Sequence, residues 1–347
     1  MHDAVFPVKK LPAHLKKNPA IDWDPMYEGI KKHGVQHGTF SESTIKLAKK
    51  IRQQQLKANC IPSTKDFRPF TMEEAIIGIP ELKFYGVDLR TAPGYAWKKK
   101  GQSGKYHLLE VEDGKLKKID DNLLKILNLE IEMRNRKIPC HNISVDCTKD
   151  ETLKPEKRSR VGGTRIFSVQ NLSHQIAGKM DFGPFLVAYR DCYEKLNHGI
   201  TINPTSRDWG RVYERVCKFP NVLEGDYSDF GPQAVSQVVW HAIDNIVVWF
   251  QYWMEKKNVE PKIRDQWMKR LKCIQEEFVN VPHLCGKVIY DTICGIISGS
   301  FMTAELNSEI NIMYLLCNII DILREHGYDD DQIEHIIITM LYYIVYG

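Results

Sequence analysis

Between Ser298 and Glu325 a run of small residues leads straight into a long periodic helix, and this restricts the fold more than any other feature of the sequence. Ala304–Glu325 sets Ile310, Met313, Leu316 and Ile320 on one apolar side, and Gly327 closes the segment. A stripe of that length needs an equally long apolar partner surface. The preceding loop, Ser298-Gly299-Ser300-Phe301-Met302-Thr303, is small and rich in hydroxyls. Thr303 and Asn307 stand four apart and share a helix face. With Ser298 they form a set able to read a ribose 2′-hydroxyl, which donates and accepts. The plainer alternative is a capping turn followed by a helix with a polar surface strip.

The surrounding pattern predicts further helices over Ser41–Lys57, Asp120–Arg136, Pro232–Trp253 and Glu260–Val279, the last with Pro261 in its first turn. His174–Lys195 reads as helical with a break at Gly183-Pro184. Thr71 and Glu74 have the spacing of a capping box. Short strands are expected at Ile143–Cys147, Thr164–Val169 and Lys287–Asp291. A buried strand is expected at Ile336–Val345, after a turn at Asp329-Asp330-Asp331. Asn221–Asp226 reads as a short strand ending on a carboxylate. Residues 84–120 carry several Gly and Pro and read as loops and hairpins. Strands and helices mix without βαβ alternation, which predicts an α+β fold.

The chain's 347 residues suffice for two or three subdomains. No run of eighteen apolar residues exists, so no membrane-spanning helix is expected. Met1-His2-Asp3-Ala4 lacks the regions of a signal peptide. The nine cysteines are scattered without Cys-x-x-Cys spacing and read as free thiols. His283, Cys285 and Cys294 make a weak zinc candidate.

Net charge is +4, but its distribution is more telling. Leu89–Leu109 contains no acid and holds Arg90, Lys98, Lys99, Lys100 and Lys105. Lys149–Arg165 holds six basic residues against three acidic ones. Either strip alone reads as solvated surface; together, with aromatics between, they suit a polyanion. Lys149, Lys154, Lys157, Arg158, Arg160 and Arg165 can clamp a triphosphate, with Gly162-Gly163 allowing a tight return. Thr91-Ala92-Pro93-Gly94-Tyr95 can hold a strand backbone beside a stacking ring, or be a plain Pro-Gly turn. In Glu224-Gly225-Asp226-Tyr227-Ser228-Asp229, two carboxylates three apart suit a hard divalent cation. Asp229 could equally cap the following helix. Gly295-Ile296-Ile297-Ser298-Gly299 is not a Gly-x-Ser-x-Gly elbow, and no phosphate-binding P-loop spacing occurs.

In this order the segments resemble the RNA-dependent RNA polymerases of picorna-like viruses, of the iflavirus and dicistrovirus type, over residues 85–347. Thr91–Tyr95 looks like the template-contacting motif G and Lys149–Arg165 like motif F. Asp226 falls on the first aspartate of motif A. Gly299-x3-Thr303-x3-Asn307 has the spacing of motif B. Tyr346-Gly347 falls on the first half of Tyr-Gly-Asp-Asp. The resemblance implies a right-hand fold without its thumb. Fingers would comprise 1–175 and an insertion at 252–287. The palm would comprise 176–251 and 288–347, with the 304–325 helix under its sheet.

The resemblance also implies nucleotidyl transfer aided by two Mg²⁺ ions, with Mn²⁺ as an alternative. Asp226 and the backbone of Tyr227 would hold metal. Lys149, Lys157, Arg158 and Arg165 would hold NTP phosphates. Asp229, Ser298, Gly299, Thr303 and Asn307 would select ribose, and Thr91, Gly94 and Tyr95 would touch template RNA. Implied partners are template and product RNA, NTPs, a small protein primer and other viral replication proteins. The implied setting is host cytoplasm, at membrane-bound replication complexes, after release from a polyprotein.

Two departures stand out. Gly231 occupies the position of a second motif A aspartate in many relatives. The chain also stops before the next two aspartates, so the piece by itself is expected not to polymerise. A non-catalytic RNA-binding module with a palm-like fold is the main alternative. A reverse transcriptase is another, separable by its preference for dNTPs.

Overall fold

The computed structural model describes residues 9–35, 37–102, 104–203, 205–292 and 295–346. The longer helices are α1 (Glu42–Asn59), α2 (Asp121–Asn135), α3 (Leu172–Asp191), α4 (Ser236–Lys256), α5 (Pro261–Val279), α6 (Thr303–Glu325) and α7 (Asp330–Thr339). The apolar stripe of α6 drives the packing. Ile310, Met313, Leu316 and Ile320 are fully buried, in one cluster with Ile51 and Leu56 of α1 and Val239, Ile243 and Ile246 of α4. Each such side chain removed from water contributes about 1.5–3 kcal/mol. The surface covering α6 is therefore helical, from α1, α4 and α7, where a sheet was expected.

α6 also has the length and apolar composition of a membrane span, where none was expected. Here it is a core helix. Its buried Glu309 is ion-paired to the equally buried Arg52 and accepts from the Tyr189 hydroxyl at 2.7 Å. Glu305 accepts from Arg190 Nε at 2.6 Å.

The expected break at Gly183-Pro184 does not occur, and α3 runs through Pro184 to Asp191. Proline removes the N–H that would bond the carbonyl four residues back. That carbonyl, Met180 O, instead accepts the Phe70 N–H at 2.8 Å. A second core gathers around Leu123 and Leu127 of α2 and Leu172, Ile176 and Ala177 of α3. The Thr71–Glu74 capping box is present.

The main sheet has four strands, β1 (Ser144–Thr148), β2 (Ile166–Val169), β3 (Pro282–Cys285) and β4 (Val288–Asp291), in the order β4-β3-β1-β2. β1 is antiparallel to β2 and parallel to β3, and β3 and β4 form a hairpin. These strands bear out the expectations at 143–147, 164–169 and 287–291. The mixture of elements is α+β.

Ile336–Val345 is not a strand. Asp329 and Gln332 form a reciprocal capping box that starts α7 at Asp330, and Ile333 and Ile337, four apart, are buried on its inner side. The expected Asp329–Asp331 turn is thus a helix start. Beyond α7 the backbone is irregular, with Val345 bridged to His198. Asn221–Asp226 is likewise no strand. It is exposed throughout, Leu223 to 97%. A strand takes its ladder bonds from a neighbour, and Asn221–Asp226 has none among the described residues. The expected subdomain limits at 175/176 and 251/252 fall inside α3 and α4, and that at 287/288 inside the β3–β4 hairpin.

Candidate active site

The run Ile166–Leu172, strand β2 and the start of α3, is where the singled-out segments meet. The Ser168 N–H donates to Ser298 Oγ at 3.1 Å, and Val169 pairs with Gly299 in a parallel bridge. A Cβ on Gly299 would lie 2.3 Å from the Ser168 carbonyl oxygen, so the close approach depends on glycine. On the other side the Leu172 N–H donates to Pro93 O at 3.0 Å. Gly94 has φ 92°, and a Cβ there would lie 2.8 Å from Gln170 O. The Trp97 indole N–H donates to Asn171 Oδ1 at 2.9 Å, fastening the Thr91–Tyr95 turn to the cap of α3.

Thr91 is occupied internally. The buried Lys105 ammonium donates to its hydroxyl, to its carbonyl at 3.1 Å and to Asp88 O at 2.9 Å. Burial pushes the Lys105 pKa down to about 8. Tyr95, 44% exposed, and Lys98, Lys99 and Lys100 face solvent.

The basic loop continues the β1–β2 ladder, with the Lys149 N–H donating to Arg165 O at 2.8 Å. Arg165 makes a two-pronged ion pair with Glu151, Nε to Oε1 at 2.6 Å. Arg165 holds the Glu151 carboxyl below the usual range. Arg158 Nε donates to Pro12 O at 2.8 Å. Leu11–Pro12 pairs with Thr152–Leu153, and Thr164 Oγ1 donates to His14 O at 2.9 Å, so the N-terminal segment clasps the loop. Lys157 is exposed, and neither it nor Lys149 has an ion-pair partner among the described residues.

On α6, Thr303 holds the loop before it, its hydroxyl placed 3.0 Å from Ser298 O and 3.1 Å from Ser300 O. Asn307 differs. Its Oδ1 is buried and has no donor among the described residues. An unpaired buried acceptor is costly and marks a place where a donor is missing. Seven residues on, Tyr314 accepts the Val235 N–H at 2.7 Å, and Tyr227 and Phe230 pack on its ring at 6.2 and 6.3 Å. Segment 227–235 therefore borders the face of α6 that bears Thr303 and Asn307.

Asp229 has φ 54° and is ion-paired to Lys32 at 2.8 Å; it stands at the start of a short helical turn, but its side chain does not cap it. Asp226 is exposed, with no protein partner among the described residues. At Gly231 a Cβ would meet nothing nearer than Ile296 Cγ1 at 4.0 Å, so an aspartate side chain has room there. Among the described residues no three His, Cys, Asp or Glu groups gather as a metal site. The free Asp226 carboxylate suits one ligand position on a hard cation whose other ligands are water and phosphate oxygens.

Sequence reasoning missed two buried polar sets. Asp146 of β1 accepts from Ser168 Oγ at 2.7 Å, His283 Nδ1 at 3.0 Å and the Tyr290 hydroxyl at 2.6 Å. Burial alone would raise its pKa, but these bonds, His283's first, hold it below the usual range. His283 is thus committed to Asp146, and Cys294 of the zinc candidate lies outside the described residues. The second set joins Arg134 of α2 and His174 of α3 to Glu277 of α5, at 2.8 and 2.9 Å. The residues of each set are distant in sequence, so no spacing could reveal them. The only signal was Asp146 itself, a carboxylate between Val145 and Cys147 in a short strand.

Comparison with known proteins gives the family and the fold. The family model described as viral RNA-dependent RNA polymerase matches residues 23–347. The chain is 29% identical over 305 residues to the genome polyprotein of Deformed wing virus, covering 84% of the chain and 10% of that polyprotein. It is 26% identical over 321 residues to the replicase polyprotein of Drosophila C virus, covering 87% of the chain and 18% of that polyprotein. Its fold matches a Sicinivirus 3Dpol RNA-dependent RNA polymerase with a TM-score of 0.71 at 21% identity, over 94% of the chain and 63% of that structure. The chain thus spans under a fifth of these polyproteins and under two thirds of the solved polymerase.

Proposed function

The chain belongs to the viral RNA-dependent RNA polymerase family, and on that premise we propose that it supplies finger and palm groups for template-directed nucleotidyl transfer from NTPs in viral genome replication. The observation that carries this is the buried, unpartnered Asn307 Oδ1 beside a loop that converges with the basic loop on one strand. Ser298 Oγ accepts from the Ser168 N–H, which leaves its own proton free to donate. A ribose 2′-hydroxyl complements this pair, accepting from Ser298 and donating to Asn307. A deoxyribose would leave the Asn307 acceptor unpaired, and sites built to bond a hydroxyl reject analogues that lack one.

In the reaction a primer 3′-hydroxyl attacks the α-phosphorus of the NTP and pyrophosphate leaves. Lys149 and Lys157 are free to hold the triphosphate, while Arg158 and Arg165 keep unused N–H groups beside their present partners. Asp226, with the backbone of Tyr227, would hold a divalent ion, Mg²⁺ or Mn²⁺. When bound, the two ions of such sites stabilise the attacking and leaving oxygens. Asp229 could join ribose selection by exchanging Lys32 for substrate. Gly94 sets the turn that presents Tyr95 and Lys98–Lys100 to template backbone, so RNA binding weakens steeply with salt. Fingers in 1–175 and 252–287 and palm in 176–251 and 288–347 remain our reading, with limits moved to the nearest element ends. Our reading further places the chain's work in host cytoplasm, at membrane-bound replication complexes, with a small protein primer.

The test is Asp226→Asn in the polymerase that carries this chain. Poly(U) synthesis on poly(A) should fall by about 10³-fold or more, with RNA affinity nearly unchanged. Full activity in that variant would remove Asp226 from the metal site.

A further inference from the structure

We propose that Asp146 is a positioning residue for ribose selection: through Ser168 it fixes the Ser298–Gly299 loop against which the sugar of the incoming nucleotide is read. The inference rests on the polymerase reading above and adds to it a residue on β1, across β2 from the substrate loop.

The geometry is a row across four strands. Tyr290 on β4 pairs with His283 on β3, His283 lies beside Ser144 on β1, and Asp146, two residues along on the same face, pairs with Ser168 on β2. Asp146, Ser168 and His283 are each no more than 4% exposed. Three donors converge on one carboxylate, which as an acceptor-only group satisfies them all. A fully satisfied buried network of this kind rigidifies its surroundings.

Ser168 joins the carboxylate to the loop, because both of its donors are engaged. Its hydroxyl is taken by Asp146, its N–H by Ser298 Oγ, and its carbonyl lies under the Cα of Gly299. The strand that Asp146 pins is thus the same backbone that sets where the Ser298 hydroxyl stands. Phe301, just after the loop, is seated among Phe182, Phe278 and His174, so the loop is held from both ends. Misplacement of a reading group by about 1 Å can cost about 10²-fold.

The experiment measures the ratio of kcat/KM for an NTP to that for its 2′-dNTP in the polymerase carrying this chain, with Asp146→Ala, Ser168→Ala and Ser298→Ala singly and paired. Asp146→Ala and Ser168→Ala should each lower the ratio about tenfold while RNA affinity holds. Adding Ser168→Ala to Ser298→Ala should change the ratio no further, since both act through one hydroxyl. If Asp146→Ala fails to fold, Ser168→Ala, which deletes only the link, decides the matter. A purely structural role would lower the melting temperature and slow both nucleotides alike, and an unchanged ratio in Ser168→Ala would overturn the inference. So would an effect of Ser168→Ala that adds fully to that of Ser298→Ala. A wild-type enzyme inert on RNA templates would instead sink the polymerase reading, and this inference with it.

Discussion

The strand carrying Ser168 touches the loop that leads into α6, the segment carrying Asp226 packs beside α6 itself, and the two are held by opposite means. Around Ser168 the backbone is laddered, the polar groups are buried and paired, and glycine is required where two backbones touch. Around Asp226 the chain is exposed, without a ladder partner among the described residues, and is tied down mainly by Tyr227 and Phe230 on the Tyr314 ring. Ser298 and Gly299, on the sugar-reading side, are preorganised by contacts within this chain. The carboxylate that would hold metal stands on exposed backbone without a ladder partner among the described residues. Preorganisation belongs where charge and hydroxyls are discriminated.

The largest test of that contrast lies in the foundation of the ordered side. Glu277→Ala would leave the buried Arg134 with only the more distant Glu130, at 3.6 Å, and should cost about 3 kcal/mol in denaturant unfolding. The same site predicts a pH dependence. Burial would raise the Glu277 pKa, but the bonds from His174 and Arg134 outweigh it and hold it at about 2, against 4.5 ordinarily. A depressed acid stabilises the fold above its unfolded pKa. This contribution should therefore be whole above pH 4.5 and fade as pH falls from there toward 2, and Glu277→Gln should flatten the acid limb of the unfolding profile.

A matched pair of glycines sharpens the comparison at intermediate size. Gly299→Ala sets a methyl 2.3 Å from a backbone oxygen and should cost about 2 kcal/mol. Gly231→Ala meets open space and should be neutral, or stabilising by up to about 1 kcal/mol. Equal melting temperatures for the two variants would break the contrast. The smallest effect is expected at Lys32→Ala. It removes the partly exposed ion pair to Asp229 and should cost at most about 1 kcal/mol in a double-mutant cycle with Asp229→Ala.

Much of this was legible in the sequence because helical periodicity is local. Asp120 and Ser41 cap helices as their side chains promised, and the stripe through Ile310 and Ile320 is buried. The site segments were legible as motifs, and the structure brings Gly94, Arg165, Ser298 and Gly299 to one strand. What failed was competition between signals. Ile336–Val345 has strand composition, yet Asp329 and Gln332 nucleate a helix just upstream, and a cap outweighs a weak β preference. Thr91 and Thr303 read as ligand groups but are spent on Lys105 and on the loop's own carbonyls. The Asp146 set escaped notice because its four members come from three separate stretches of chain.

The proline inside α3 has one more implication. By vacating an acceptor in mid-helix it opens a socket, and the main chain at Phe70 plugs it. The stretch before Phe70 is thus soldered to the molecule by a peptide group as well as by side chains. Trimming the protein beyond that point would expose a buried oxygen to nothing, and a shortened version would have to find it water or lose the straightness of the helix.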